Sequence, residues 1–347
     1  MRKLTIAVTG LNAIDSPGPG VAVIRAIREC QDFDSHIIGL SYESLEPGIY
    51  MADLVDKTYQ IPYPTAGSAT LLARLQYIHD REQLDVIIPN FDAELPNFIQ
   101  LAPTLREWGI HTFLPSKEQF AELDKLHLHE FGEAHGLQVP KTKFVADAHA
   151  LSELTEDFDF PMVVKGKYYE AYIAREEADL PKYFNKVAAK WGLPVVIQEF
   201  IAGTEIDIAG LGDGQGGLIG AVPIRKLYIT DKGKGWAGIT LQDDRLLDYT
   251  RRFIESSHWT GGFELEIMKR EKDDELFLME VNPRFPAWIY TTAAVGQNLP
   301  AALVKLAMGD TVDPYPPYEV GKIFIRYSWE LITDIEHYQQ IATMGEM

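Results

Sequence analysis

Cysteine is almost absent: Cys30 is the single one in 347 residues. An internal disulfide framework and a cysteine-based zinc site are therefore excluded, and a reducing cytoplasm is the expected location. Cys30 falls in an apolar-periodic helical stretch and is expected to be a buried structural thiol. Long apolar runs are missing too, none nearing the roughly 18 residues of a membrane-spanning helix. The opening "MRKLTIAVTG" has basic residues before a strand-like pattern too short for a secretory signal. Basic charge is scarce: Lys and Arg total 32 against 51 Asp and Glu, a formal charge of −19. Nucleic acids and anionic membranes call for basic surfaces, so a small-molecule partner is expected instead. No repeat of fixed period and no low-complexity tract is present. What remains, 46% hydrophobic and 24% charged residues, is an ordinary soluble composition, long enough for two or three domains with a large core.

Short apolar strands alternate with helical patterns over the first third. "LTIAV" (4–8), "HIIGL" (36–40), "VIIP" (86–89) and "HTFLP" (111–115) are separated by helices expected near Val21–Cys30, Thr70–Arg81 and beyond residue 90. Such an order predicts a parallel, Rossmann-like sheet with helices on both faces. Ligands of these sheets gather at the carboxyl ends of the strands, where "TGLNAIDSPGPG" and "NFDAELP" lie. Gly18 and Gly20 fit a dinucleotide fingerprint poorly, because Val23 stands where a third glycine belongs. A turn feeding the helix is the better reading. After residue 116 the pattern changes to paired or alternating strands with helices, an α+β region.

Near the C-terminal end, "FELEIMKREKDDELFLMEVNPRF" reads as a β-hairpin by its period-2 alternation. Glu264 and Glu266 share one face of the first strand; Glu280 and Asn282 share one face of the second. A fold about position 273 would set Glu266 opposite Glu280. Carboxylates roughly 5 Å apart repel, and either a raised pKa or a cation must resolve the repulsion.

Six segments, "IIPNFDAELP", "ELDKLHLHEFGEAHGLQVP", "FPMVVKG", "VVIQEFIAGTEIDIAG", "PIRK" and "LMEVNPRF", follow the order and approximate spacing of the ATP-grasp superfamily. The chain resembles the branch that holds carbamoyl-phosphate synthase and biotin carboxylase, over most of residues 85–310. The resemblance implies an α/β pre-ATP-grasp domain over 1–115 and a small subdomain with a linker helix over 116–200. A large subdomain with a magnesium site over 201–314 and a strand and helix extension over 315–347 complete it. It also implies that Lys125 and Lys165 reach the nucleotide phosphates. Glu199, Phe200 and Ile201 would form the adenine hinge, and Glu205 would bind the ribose hydroxyls. Glu266, Glu280 and Asn282 match magnesium ligands, which would explain the clustered acids; Mn²⁺ is an allowed substitute. Arg284 would steady the transferred phosphate, and Arg225 and Lys226 would face either phosphate or the acceptor carboxylate.

Two segments depart from the family pattern. After Lys165 the usual glycine-rich loop is replaced by "KGKYYEAYIA", where Tyr168, Tyr169 and Tyr172 would cover a ligand or stiffen a lid. "TDKGKGWAG" (230–238) is either a substrate-covering loop anchored by Trp236 or an exposed turn. His127, His129, His135 and His258 show no ligand spacing and are expected on surfaces or helix faces. The implied activity is an ATP- and Mg²⁺-dependent ligase that joins a small carboxylate to an amine through an acyl phosphate, with a homodimer left open. The alternatives are an acyl- or carbamoyl-phosphate-forming subunit and a nucleotide-binding regulator without turnover.

Overall fold

The computed structural model describes every residue except 1, 15–16, 123–126, 167–170, 231–232 and 329. Its first sheet is built from β1 (Arg2–Val8), β2 (Phe33–Ser41), β3 (Lys57–Gln60) and β4 (Val86–Ile88) in the order β3-β2-β1-β4. All its pairings are parallel, as the alternation predicted. Helix α1 (Pro19–Arg28) packs Val23, Ile24 and Ile27 with Ile6 and Val8. Helices α2 (Ser68–Glu82) and α3 (Leu95–Glu107) bring Leu75, Ile78, Phe98 and Leu105 to a cluster with Ala7, Ile38 and Ile87. Successive residues of β1 thus enter different clusters, which is why its apolar run is nearly unbroken.

Two differences from the expected strands have physical causes. β3, "KTYQ", carries no apolar run and gains order from β2 on one side and from the C-terminus, where Thr58 N–H donates to Met347 O at 2.7 Å. "HTFLP" has strand-like residues but only an isolated bridge, between Val86 and His111. The glycines before α1 serve close packing: a Cβ on Gly20 would lie 2.1 Å from Thr9 O. Cys30, just past α1, is half-buried rather than buried.

Next come α4 (Lys117–Glu122), α5 (Leu128–His135), β5 (Thr142–Val145), α6 (Leu154–Asp157), β6 (Met162–Lys165), β7 (Ala171–Ala174), α7 (Asp179–Trp191) and β8 (Val195–Glu199). Their strands form an antiparallel sheet, β5-β8-β6-β7, covered by Leu180, Phe184 and Val187 of α7.

The remaining strands are β9 (Gly203–Asp213), β10 (Leu218–Ile229), β11 (Gly235–Thr240), β12 (Thr260–Arg270), β13 (Leu276–Asn282) and β14 (Ile323–Ile325). Their order is β13-β12-β9-β10-β11-β14. Helices α8 (Asp244–Ser257), α9 (Tyr290–Ala294), α10 (Leu299–Ala307) and α11 (Ile335–Met344) lie between and after them. The stretch read as either a covering loop or an exposed turn continues into a strand, and Thr230 N–H donates to Lys234 O at 2.9 Å ahead of it. Gly235–Thr240 is a strand, with Lys226 paired to Gly238 and Ile229 to Gly235. Gly238 is small because a Cβ would lie 2.7 Å from the Phe324 ring, so it serves packing rather than mobility. Residues 231–232 of that stretch lie outside the described residues. Among the described residues no helix is long and apolar enough to cross a membrane.

The chain divides into two compact units. One holds Met1–Phe120, Asp207–Glu264 and Asn282–Met347; the other holds Ala121–Ile206 and Leu265–Val281.

Candidate active site

In the second unit, β6 and β8 are paired with Lys165 opposite Val196, which puts Lys165 and Gln198 on one face. Lys165 Nζ donates to Gln198 Oε1 at 2.9 Å, and Gln198 Nε2 donates to Thr142 Oγ1 at 3.0 Å. The "MVV" segment fixes the strand, so Lys165 sits half-buried at its end with an oriented ammonium. Glu199 closes β8; its carboxylate accepts from the Lys141 N–H at 3.2 Å. Phe200 is half-buried and Ile201 buried, ahead of the turn into β9. Gly203 is required there, since a Cβ would meet Lys269 O at 2.1 Å. On β9 and β12, carboxylate oxygens of Glu205 and Glu266 lie within 4.8 Å of each other. Sequence reasoning paired Glu266 with Glu280 and overlooked this proximity.

The turn of the β12–β13 hairpin also differs from expectation. Arg270 N–H donates to Glu275 O at 2.8 Å, so the turn is centred between residues 272 and 273. Further along the two strands Asn282 Nδ2 meets Glu264 Oε2 at 3.0 Å, which puts Glu264 and Asn282 on one face. The four-residue turn ends with Asp274 in the left-handed region at φ 60°.

In the first unit, Glu264 is buried and accepts from Asn282 Nδ2 at 3.0 Å and Trp288 Nε1 at 2.9 Å. The Asn282 amide is thereby oriented, with its nitrogen committed to Glu264. Arg326 feels the same carboxylate: burial pulls its guanidinium below the ordinary value, and Glu264 opposes that pull. Lys226 pairs with Asp207 at 3.1 Å, both side chains being almost wholly buried. Arg225 is exposed and, as the adjacent residue of a strand, points to the opposite face. Arg225 and Lys226 therefore do not address one ligand together. Arg284 Nε donates to Asp92 Oδ2 at 3.0 Å, tying it to the loop after β4.

Asp207, Glu264 and Asp92 were not assigned roles from sequence. The alternation in "TEIDIAG" places Asp207 on the face of Glu205 and was a usable signal; nothing local marked the Asp92 contact. Lys125, Tyr168 and Tyr169 lie outside the described residues. Tyr172 belongs to β7 and stacks on Tyr183 of α7 at 5.0 Å, so it supports the sheet. His127 and His129 pair with Glu130 and Glu133 on an exposed helix face, as expected.

Comparison with solved structures identifies the arrangement. The biotin carboxylase of Campylobacter jejuni, determined as a β,γ-ATP complex, superposes with a TM-score of 0.70 at 16% identity, over 92% of this chain and 74% of that one. The chain has an ATP-grasp fold. The biotin carboxylase domain of Hydrogenobacter thermophilus 2-oxoglutarate carboxylase, solved with MgADP and bicarbonate, gives 0.68 at 17% identity, covering 90% and 73%. Residues 193–328 match the family model described as ATP-grasp in the biosynthetic pathway with Ter operon. Among curated proteins, the carbamoyl phosphate synthase large chain of Vibrio cholerae serotype O1 is 24% identical over 253 residues, 67% of this chain and 23% of that protein. The chain thus spans about a quarter of that relative's length. The ATP-grasp resemblance read from the six motifs holds, as does the fold class of a parallel-sheet domain followed by α+β regions.

Proposed function

We propose that this chain is an ATP- and Mg²⁺-dependent ligase that phosphorylates a small carboxylate and passes the acyl group to an amine. The observation that carries the reading is the orientation of Asn282. Glu264 holds its amide nitrogen at 3.0 Å, a contact of the kind that orients an amide whose oxygen serves as a metal ligand. The other candidates, Glu266 and Glu280, would add carboxylate oxygens, and the Glu205 carboxylate lies within 4.8 Å of that of Glu266. This all-oxygen donor set suits Mg²⁺ or Mn²⁺ and would not select a soft metal. When bound, such an ion supplies charge neutralisation to the phosphates.

The chain's own residues take the remaining roles. Lys125 and Lys165 meet phosphate oxygens, and the half-buried position of Lys165 keeps its charge unscreened. Glu199, Phe200 and Ile201 read the adenine, and Glu205 serves the ribose hydroxyls or the metal. Arg284, braced by Asp92, meets the transferred phosphoryl group. Lys226 is neutralised by Asp207, so it positions that carboxylate as much as it binds an anion. In the second step the C–N bond forms and the acyl C–O bond to phosphate breaks. Inorganic phosphate leaves, and the ammonium loses two protons, one to phosphate and one to solvent. A cytoplasmic setting fits the lone cysteine.

The test is steady-state ADP release over a matrix of small carboxylates and amines, with Mg²⁺ and with chelator. Release should require metal and carboxylate, and should yield amide only with amine. Glu280→Gln and Asn282→Ala should each lower kcat by about a hundredfold or more. Near-normal rates in both at saturating Mg²⁺ would remove the metal assignment. ADP release that never yields amide would favour the acyl-phosphate-forming alternative.

A further inference from the structure

The parallel sheet reverses direction of growth between β1 and β4, the switch point at which open α/β sheets place ligands. A cavity of about 180 Å³ lies beside it, lined from the loops after all four strands. Its walls are aromatic: the Tyr42 and Tyr63 rings stack at 5.6 Å with 17° between planes, and Phe91 meets Tyr42 at 5.9 Å. Its polar groups are acidic. Glu43 accepts from Tyr63 Oη at 2.8 Å. Glu46 is 5% exposed; its Oε1 accepts from the N–H groups of Tyr42 and Glu43 at 2.8 and 3.2 Å. Burial raises this carboxyl above its ordinary value, and the N–H groups of Tyr42, Glu43 and Leu11 oppose that; Oε2 itself, like Asn12 Oδ1, is buried without a donor in strict hydrogen-bonding geometry among the described residues. Among the described residues no Lys, Arg or His lines the cavity.

Aromatic faces, buried acceptors without donors and an absence of basic groups together define a ligand that is cationic and rich in N–H. A phosphate or carboxylate would meet only like charge. A bare divalent metal would lack the six or so oxygens it requires, since rings occupy most of the wall. The cavity lies below the roughly 300–1,000 Å³ of drug-sized sites, so the ligand is small. Leu45, exposed at the rim, offers an alkyl chain a place to lie. We propose that this cavity binds a small primary ammonium ion, its charge against Glu46 and its alkyl part between Tyr63 and Phe91. Resting on the ligase reading above, it assigns the amine substrate to the first domain.

The test is calorimetric titration of the full chain, without nucleotide, by the series of linear alkylammonium ions from ethyl to hexyl, with the matching alcohols as neutral controls. At least one ammonium should bind, ten or more times tighter than its alcohol. Tyr63→Ala, a change at a half-exposed side chain, and Glu46→Gln should each weaken it at least tenfold. An ATP analogue should bind both variants unchanged, which guards against misfolding. Equal affinity for ammonium and alcohol, binding by none of the series, or unchanged affinity in Tyr63→Ala would overturn the assignment. Because no turnover is measured, failure here leaves the ligase reading standing, and absent ADP release would leave a measured ammonium site standing.

Discussion

At the scale of single residues, buried carboxylates organise this protein. Asp207 is buried against Lys226 at 3.1 Å, and breaking a buried ion pair of this kind costs about 3–5 kcal/mol. Glu94 is buried to 1% exposure and gathers the ends of three strands. It accepts from Thr9 Oγ1, from Tyr42 Oη, and from the Asn90 and Phe91 N–H groups at 2.7 and 3.0 Å. Burial raises its pKa to about 7, against the lowering effect of those hydrogen bonds. Between the ordinary value of 4.5 and about 7 the folded protein therefore holds a proton that the unfolded chain has released. Stability from this group is complete below that window and falls as pH rises through it. Urea unfolding from pH 4.5 to 8 should show wild type losing on the order of 2–3 kcal/mol relative to Glu94→Gln. Parallel pH profiles for the two proteins would contradict the assignment.

At the scale of elements, legibility followed burial. β1, β2 and β4 were readable because strands buried on both faces leave continuous apolar runs. β3 was not, because its order comes from Met347, nearly 300 residues away in sequence and invisible to local pattern. β7 escaped for a different reason: it is four residues long and only Ala174 of it is buried, too little pattern to read. "GKGWAG" was ambiguous because glycine reports either backbone freedom or close packing, and it holds both: Gly233 takes φ +79° in open space, while Gly238 lies under the Phe324 ring. The expectation that follows is measurable by hydrogen exchange. Amides of residues 237–240, with Thr240 N–H bonded to Lys322 O at 2.9 Å, should exchange slowly without nucleotide and little differently with it. Fast exchange that slows only on adding ATP would restore the covering-loop reading.

At the scale of the whole molecule, the order of six short motifs carried more than any one of them, and the ATP-grasp fold followed from it. The candidate site was legible as residue types: acids on a hairpin, a lysine ending an apolar strand, an arginine after "NP". Their partners were not, because Asp92 and Arg284, or Asp207 and Lys226, are joined only by the tertiary fold. Substrate identity is a property of pocket shape and lay beyond sequence pattern altogether. The central claim is an acyl phosphate made from a carboxylate, and isotope transfer tests it most directly. With the carboxylate that supports ADP release labelled with ¹⁸O, mass analysis of the released phosphate should find one labelled oxygen per turnover. Unlabelled phosphate accompanying amide formation would contradict the account.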